Sequence, residues 1–147
     1  MRSRNTRLGE RGEAAAIEMI AVLAFLLIPT LVAFMQVPRW IDARSTAELA
    51  AAEAARLMVL APDYATGAAT GRAAALRIVE NHGWPATALH GLEWSSDTEL
   101  EGGQLITATV TMEVPAIVVP YVGRFRAGGT FSASHTELVD QFRSFDR

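Results

Sequence analysis

Residues 19–37 read MIAVLAFLLIPTLVAFMQV, 19 residues without a charge. As an α-helix this run is about 28 Å long, close to the hydrocarbon thickness of a bilayer. Glu18 precedes it, and Arg39 and Trp40 follow. The flanking charges are unequal. Residues 1–13 carry Arg2, Arg4, Arg7 and Arg11 against Glu10 and Glu13, whereas Arg39 and Arg44 are interleaved with Asp42 behind the run. Positive charge stays on the cytoplasmic side of a membrane helix. The expected organisation is therefore a basic cytoplasmic leader over 1–13, a transmembrane helix over 14–38, an extracytoplasmic helix extension over 39–61 and a small extracytoplasmic domain over 62–147. Two other readings fit less well. A cleaved secretory signal has a shorter apolar core and a small-x-small site, which Ala33-Phe34-Met35 does not supply. A buried core helix does not explain the charge step. Pro29 removes one backbone donor in mid-span, which membrane helices tolerate.

Residues 41–61, IDARSTAELAAAEAARLMVLA, are dominated by strong helix formers, so the helix is expected to run on beyond the membrane. A heptad placed with Trp40, Ala47, Ala54 and Ala61 at one core position puts Ala43, Ala50 and Leu57 at the other. No charge enters this seam of Trp40, Ala43, Ala47, Ala50, Ala54 and Leu57. Two uses are open to it, packing on helices of other subunits or packing within its own domain. Arg44 and Glu48 form an i,i+4 pair, and Pro62 ends the run.

Residues 63–71, with Gly67 and Gly71, read as a loop. A second short helix is expected from Gly71 or Arg72 to Asn81, with Ala75, Leu76 and Val79 on one side and Asn81-His82-Gly83 as its stop. The period then changes to two. Ile106, Ala108, Val110, Met112 and Val114 alternate with Thr107, Thr109, Thr111 and Glu113, a half-buried strand over 104–114. Weaker strands are expected near Leu89–Trp94 and Thr130–Val139. Pro115 and Pro120 bracket Ala-Ile-Val-Val. The fold class is thus α+β, with a small antiparallel sheet of about three strands against the helices.

Composition excludes several chemistries. The chain has 147 residues, a net charge of -3, no cysteine, and arginine as its only strongly basic residue. It is no cationic nucleic-acid binder, disulfide scaffold or thiolate metal site. Beyond residue 13 the charge is -5. His82, His90 and His135 lack metal-ligand spacing. Ser95-Ser96-Asp97 sits in a turn, and the Gly102-Gly103 and Gly128-Gly129 pairs precede strands, so neither pair cradles phosphate. Glu93, Glu99, Glu101 and Glu113 read as a solvated face, and Trp84 and Trp94 as packing residues. No catalytic constellation, metal site or cofactor is expected, and the chain does not read as an enzyme. A membrane-tethered enzyme or solute-binding domain would require His90, His135 and an acid to line one pocket. A third reading is a single-pass scaffold of an envelope complex.

The opening Arg11-Gly12-Glu13-Ala14-Ala15-Ala16-Ile17-Glu18, leading into a long apolar helix, resembles the TadE/TadG-like family of small pilin-like proteins of bacterial tight-adherence (Flp) pilus systems. The likeness extends through the Ala-rich helix to the Val-Thr-Met-Glu-Val-Pro strand at 110–115 and the Ala-Ser-His-Thr-Glu-Leu-Val-Asp stretch at 133–140. The resemblance implies a minor pilin or pseudopilin in the bacterial cytoplasmic membrane. Its partners would be other pilin subunits, the pilus assembly machinery and a prepilin peptidase. Gly12 would precede the peptidase cut, and Glu18 would be the glutamate that pairs with a neighbouring subunit's N-terminus. The register departs from the family pattern. A cut after Gly12 makes Glu13 first and Glu18 sixth, one position late; a cut after Glu13 restores the register but places a carboxylate where the peptidase takes a small residue. An uncleaved membrane anchor is the remaining alternative.

Overall fold

A computed structural model describes residues 4–96, 100–115, 118–119, 123–124 and 129–142. The first element, α1, is one continuous helix, Arg4–Leu60, with Pro29 and Pro38 inside it. Contacts divide the chain into two compact units, Met1–Pro38 and Arg39–Arg147, so α1 belongs to both. The first unit is helical throughout its described residues, and the expected extension over 41–61 is helical to Leu60.

The second unit adds helix α2 (Tyr64–Asn81), a 3-10 turn (Ala86–Ala88), and strands β1 (Leu89–Trp94), β2 (Leu105–Val114), β3 (Val118–Val119), β4 (Gly123–Arg124) and β5 (Gly129–Leu138). The three main strands form one antiparallel sheet in the order β1-β2-β5, while β3 and β4 pair as a separate hairpin. This is the expected α+β arrangement. Strand β2 sends Ile106, Ala108, Val110, Met112 and Val114 into the core, each at 0% or 1% exposure. The alternation read from the sequence is thus the alternation of the fold. Ile106, Val110, Met112 and Val114 each contribute roughly 1.5–3 kcal/mol by burial, more than any alanine they face.

The alanine face of α1 closes the core from the other side. Ala43, Ala47, Ala50 and Ala54 are fully buried in a cluster with Ala75 and Val79 of α2, Val110 and Met112 of β2, and Ala133 of β5. The heptad seam therefore lies against the chain's own sheet and second helix. Leu57 is half-buried, while Ala51, Ala55 and Met58 are fully buried. A helix lying on a sheet covers a broader stripe than a coiled-coil seam, which explains the difference. A second cluster gathers Met58, Leu100, Ile106 and Val139.

The segment 63–71 is not a loop. Asp63 caps α2, its carboxylate accepting from the Thr66 N–H at 2.8 Å and from the Thr66 hydroxyl at 2.8 Å. Gly67 and Gly71 are buried helical residues, followed on the same side by Ala74, Ala75 and Val79. Their missing side chains are required by proximity. A Cβ on Gly71 would stand 3.0 Å from the Ala54 carbonyl oxygen and 2.8 Å from Cη2 of Trp94, and one on Gly67 would stand 2.5 Å from the Met58 sulfur. The helix pair is thus in backbone contact, an arrangement that weak helix propensity conceals in the sequence.

The stop at Asn81-His82-Gly83 is as expected. Gly83 has φ 78° and Trp84 N–H returns to the Val79 carbonyl at 3.1 Å, a left-handed exit that glycine makes without strain. Gly103, φ 81°, does the same in the turn before β2. The Trp84 indole N–H donates to Asp42 at 2.8 Å, tying this corner to α1.

The Thr66 N–H and hydroxyl bonds hold the Asp63 carboxyl below its ordinary range. A depressed carboxylate pKa contributes stability above the unfolded value, near 3.9, and loses it as pH falls through the folded value. Asp63→Ala is expected to lower the thermal midpoint at neutral pH, with the gap to wild type closing as pH falls below the ordinary carboxylate range and through the lowered folded value. A gap independent of pH, followed by circular dichroism, would mean that the cap acts without its charge.

Candidate functional site

The most distinctive surface of the described chain is the apolar length of α1. From Ala15 to Met35 every residue except Pro29 and Val32 is exposed, including Phe25 at 80% and Phe34 at 71%. This is the one helix among the described residues long and apolar enough to cross a membrane. One of the two polar side chains in the uncharged run is satisfied within the helix. The Thr30 hydroxyl donates to the Leu26 carbonyl at 2.8 Å, so it needs no water. Gln36 is fully buried, and neither amide atom has a hydrogen-bond partner; the Trp40 indole N–H and the Thr46 hydroxyl are also unpaired.

Glu18 lies exposed on the helix just before the uncharged run. Gly12 and Glu13 fall within α1, and their side chains lie outside the described residues. A carboxylate at Glu18 fits the edge of a hydrocarbon layer, where the cost of a charge is lower than at mid-span.

The histidines do not assemble. Nδ1 of His82 lies 2.8 Å from the Ile78 carbonyl of its own helix end. Nδ1 of His90 stands 3.8 Å from Glu113, while Nε2 of His135 stands 3.1 Å from Glu137. Each of the latter two thus faces a different glutamate. Among the described residues no three metal-ligating side chains come together. An open depression of about 300 Å³ is lined by Pro85, Thr87, Ala88, Glu113 and Pro115. It offers one carboxylate, and His135 is not among its walls. Ser95 serves the sheet, with its N–H and hydroxyl oxygen both bonded to the Thr107 backbone at 2.9 Å. Asp97 and Glu99 lie outside the described residues, while Glu93, Glu101 and Glu113 are exposed. Trp84 is buried, and Trp94 packs across both clusters.

The outer face of the sheet carries an arrangement that the strand periodicities did not reveal. Hydroxyl oxygens meet across β2 and β5 in three successive pairs, Thr107–Thr136 at 2.8 Å, Thr109–Ser134 at 2.9 Å and Thr111–Ser132 at 2.9 Å. Each strand alone shows only alternating hydroxyls; register makes them a ladder.

The chain matches no family model, no curated protein and no solved structure in the comparisons made.

Proposed function

We propose that this protein is a pilin-like, single-pass membrane protein of a bacterial tight-adherence pilus system. Its basic N-terminal tip lies in the cytoplasm and its Arg39–Arg147 unit lies outside. The observation that carries the membrane part is the exposed apolar run of α1, continuous with a folded unit that has buried its own apolar strand faces. So much apolar surface in water is unfavourable by about 25 cal/mol per Å², and lipid relieves it. Orientation rests on the excess of arginine before the run. The pilus part rests on the resemblance of Arg11–Glu18 and the helix that follows it.

In this reading α1 stores the subunit in the bilayer and Glu18 selects its neighbour. A carboxylate near the helix tip gains a charge-assisted hydrogen bond when an incoming subunit's α-amine reaches it. Glu18→Ala is expected to leave the protein in the membrane, with a C-terminal reporter still active outside, but to reduce its co-purification with the major pilin about tenfold. Equal recovery of the major pilin with wild type and variant would remove Glu18 from assembly. A reporter active only in the cytosol would overturn the orientation and the function with it.

A further inference from the structure

We infer that β5 is a self-association edge, on which a second copy of this chain adds its own β5 in antiparallel register about Ala133. The membrane reading enters only through the local concentration that tethering two copies to one lipid surface provides.

The geometry is set by which backbone groups are free. Val139 donates to the Gln104 carbonyl at 2.8 Å, and its carbonyl accepts from Gly103 at 2.9 Å, so Val139 turns both groups toward the β2 side. Backbone direction alternates along a strand, so 137, 135, 133 and 131 do likewise. The even positions Thr130, Ser132, Ser134, Thr136 and Leu138 turn their N–H and C=O groups the other way. Among the described residues no strand pairs with that edge, since β5 is last in the order β1-β2-β5.

Exposed edges normally carry protection: a short strand, a bulge, a proline or an outward charge. The opposite edge, β1, has it. β1 covers Leu89–Trp94 only, and its register shifts between Leu89 and Gly91. Strand β5 spans ten residues, contains no proline, and keeps an unbroken register with β2 from Leu138 to Gly129. Its only acid, Glu137, lies on the face of Ala133, and no charge lies on the face of Ser132, Ser134 and Thr136.

The edge is also self-complementary. Antiparallel pairing about Ala133 sets Ser132 opposite Ser134 and Thr130 opposite Thr136 of the second copy, and the reverse. These are the positions with free backbone groups, so each pair exchanges two backbone bonds. Their side chains repeat the hydroxyl pairing already made between β2 and β5. On the other face Phe131 meets His135, and Glu137 meets Gly129. No like charges oppose.

The test uses the absence of cysteine from the chain. At the two-fold axis Ala133 faces its own copy in a non-hydrogen-bonded pair, with Cα atoms about 4.5 Å apart, a span a disulfide accepts. Full-length Ala133→Cys in membranes is expected to form an oxidised dimer at least about tenfold above Ala69→Cys, whose thiol lies on the exposed side of α2. Adding Ser134→Pro removes one edge N–H and leaves the backbone bonds to β2 in place, giving up the Ser134–Thr109 hydroxyl pair, so the dimer band is lost while the folded circular-dichroism spectrum is kept. Equal cross-linking of the two thiols overturns the inference. So does a band that survives Ser134→Pro, or a thiol that links to a different protein. Sedimentation with membranes is scored in parallel, and the purified protein is oxidised at high concentration. A chain that pellets but stays unlinked in both preparations overturns the pairing alone, whereas a chain that fails to pellet and still links when purified overturns the membrane reading alone.

Discussion

Gly71→Ala is expected to lower the unfolding midpoint of the intact protein by roughly 10 °C, corresponding to about 2 kcal/mol. Two effects of opposite sign meet at this position. In an isolated helix alanine is better than glycine by about 1 kcal/mol. Against that, the added Cβ would stand 3.0 Å from the Ala54 carbonyl and 2.8 Å from the Trp94 ring. The carbonyl belongs to the α1 backbone and the ring lies in the core, so neither retreats freely. Steric cost therefore wins. Gly67→Ala is expected to cost less, since its closest contact is the Met58 sulfur, on a side chain with several rotatable bonds. Thermal unfolding followed by circular dichroism separates the cases. A Gly71→Ala midpoint at or above wild type would show that the two helices lie further apart than 3 Å contacts require.

Charge placed within the apolar run should have the other large effect. Leu26→Arg with Leu27→Arg puts two guanidinium groups mid-span, each unfavourable there by about 2.5–3.5 kcal/mol. Both leucines are exposed, at 68% and 59%, so the substitutions disturb no described core contact. The double variant is expected to leave the alkaline-washed membrane fraction almost completely, while the Arg39–Arg147 unit keeps its folded spectrum. Retention of the variant in washed membranes at the wild-type level would refute this span as the anchor. The same variant disrupts no contact within the second unit, so loss of that unit's fold would also contradict its description as a separate compact body.

The parts of the fold that were legible in the sequence are those decided by local pattern. Ile106 to Val114 alternates because one face of β2 meets the helices and the other meets water, and a period of two survives any tertiary detail. The apolar run of α1 was legible for a simpler reason: 19 uncharged residues outweigh every neighbour. What escaped was decided by pairing. Gly67 and Gly71 look like loop residues until Ala54 and Trp94 are placed beside them. The alanine seam is legible in the heptad pattern, yet the burial of its neighbours Ala51, Ala55 and Met58 is not, because the surface opposite is a sheet with α2 and not a single helix. The hydroxyl ladder needs the register of β2 against β5, which neither strand contains alone. The pairing assigned to Glu18 is of the same kind, since it requires a second molecule.

Val114 and Gly129 are partners on the last rung between β2 and β5, although fourteen residues separate them in the chain. The intervening stretch thus departs from and returns to points about 5 Å apart, and the two long strands hold those points whether or not anything lies between. Closing a loop of twice that length would cost only about 0.6 kcal/mol more. What the sheet asks of the connection is therefore only that its two ends arrive side by side, a demand that the length of the connection barely alters.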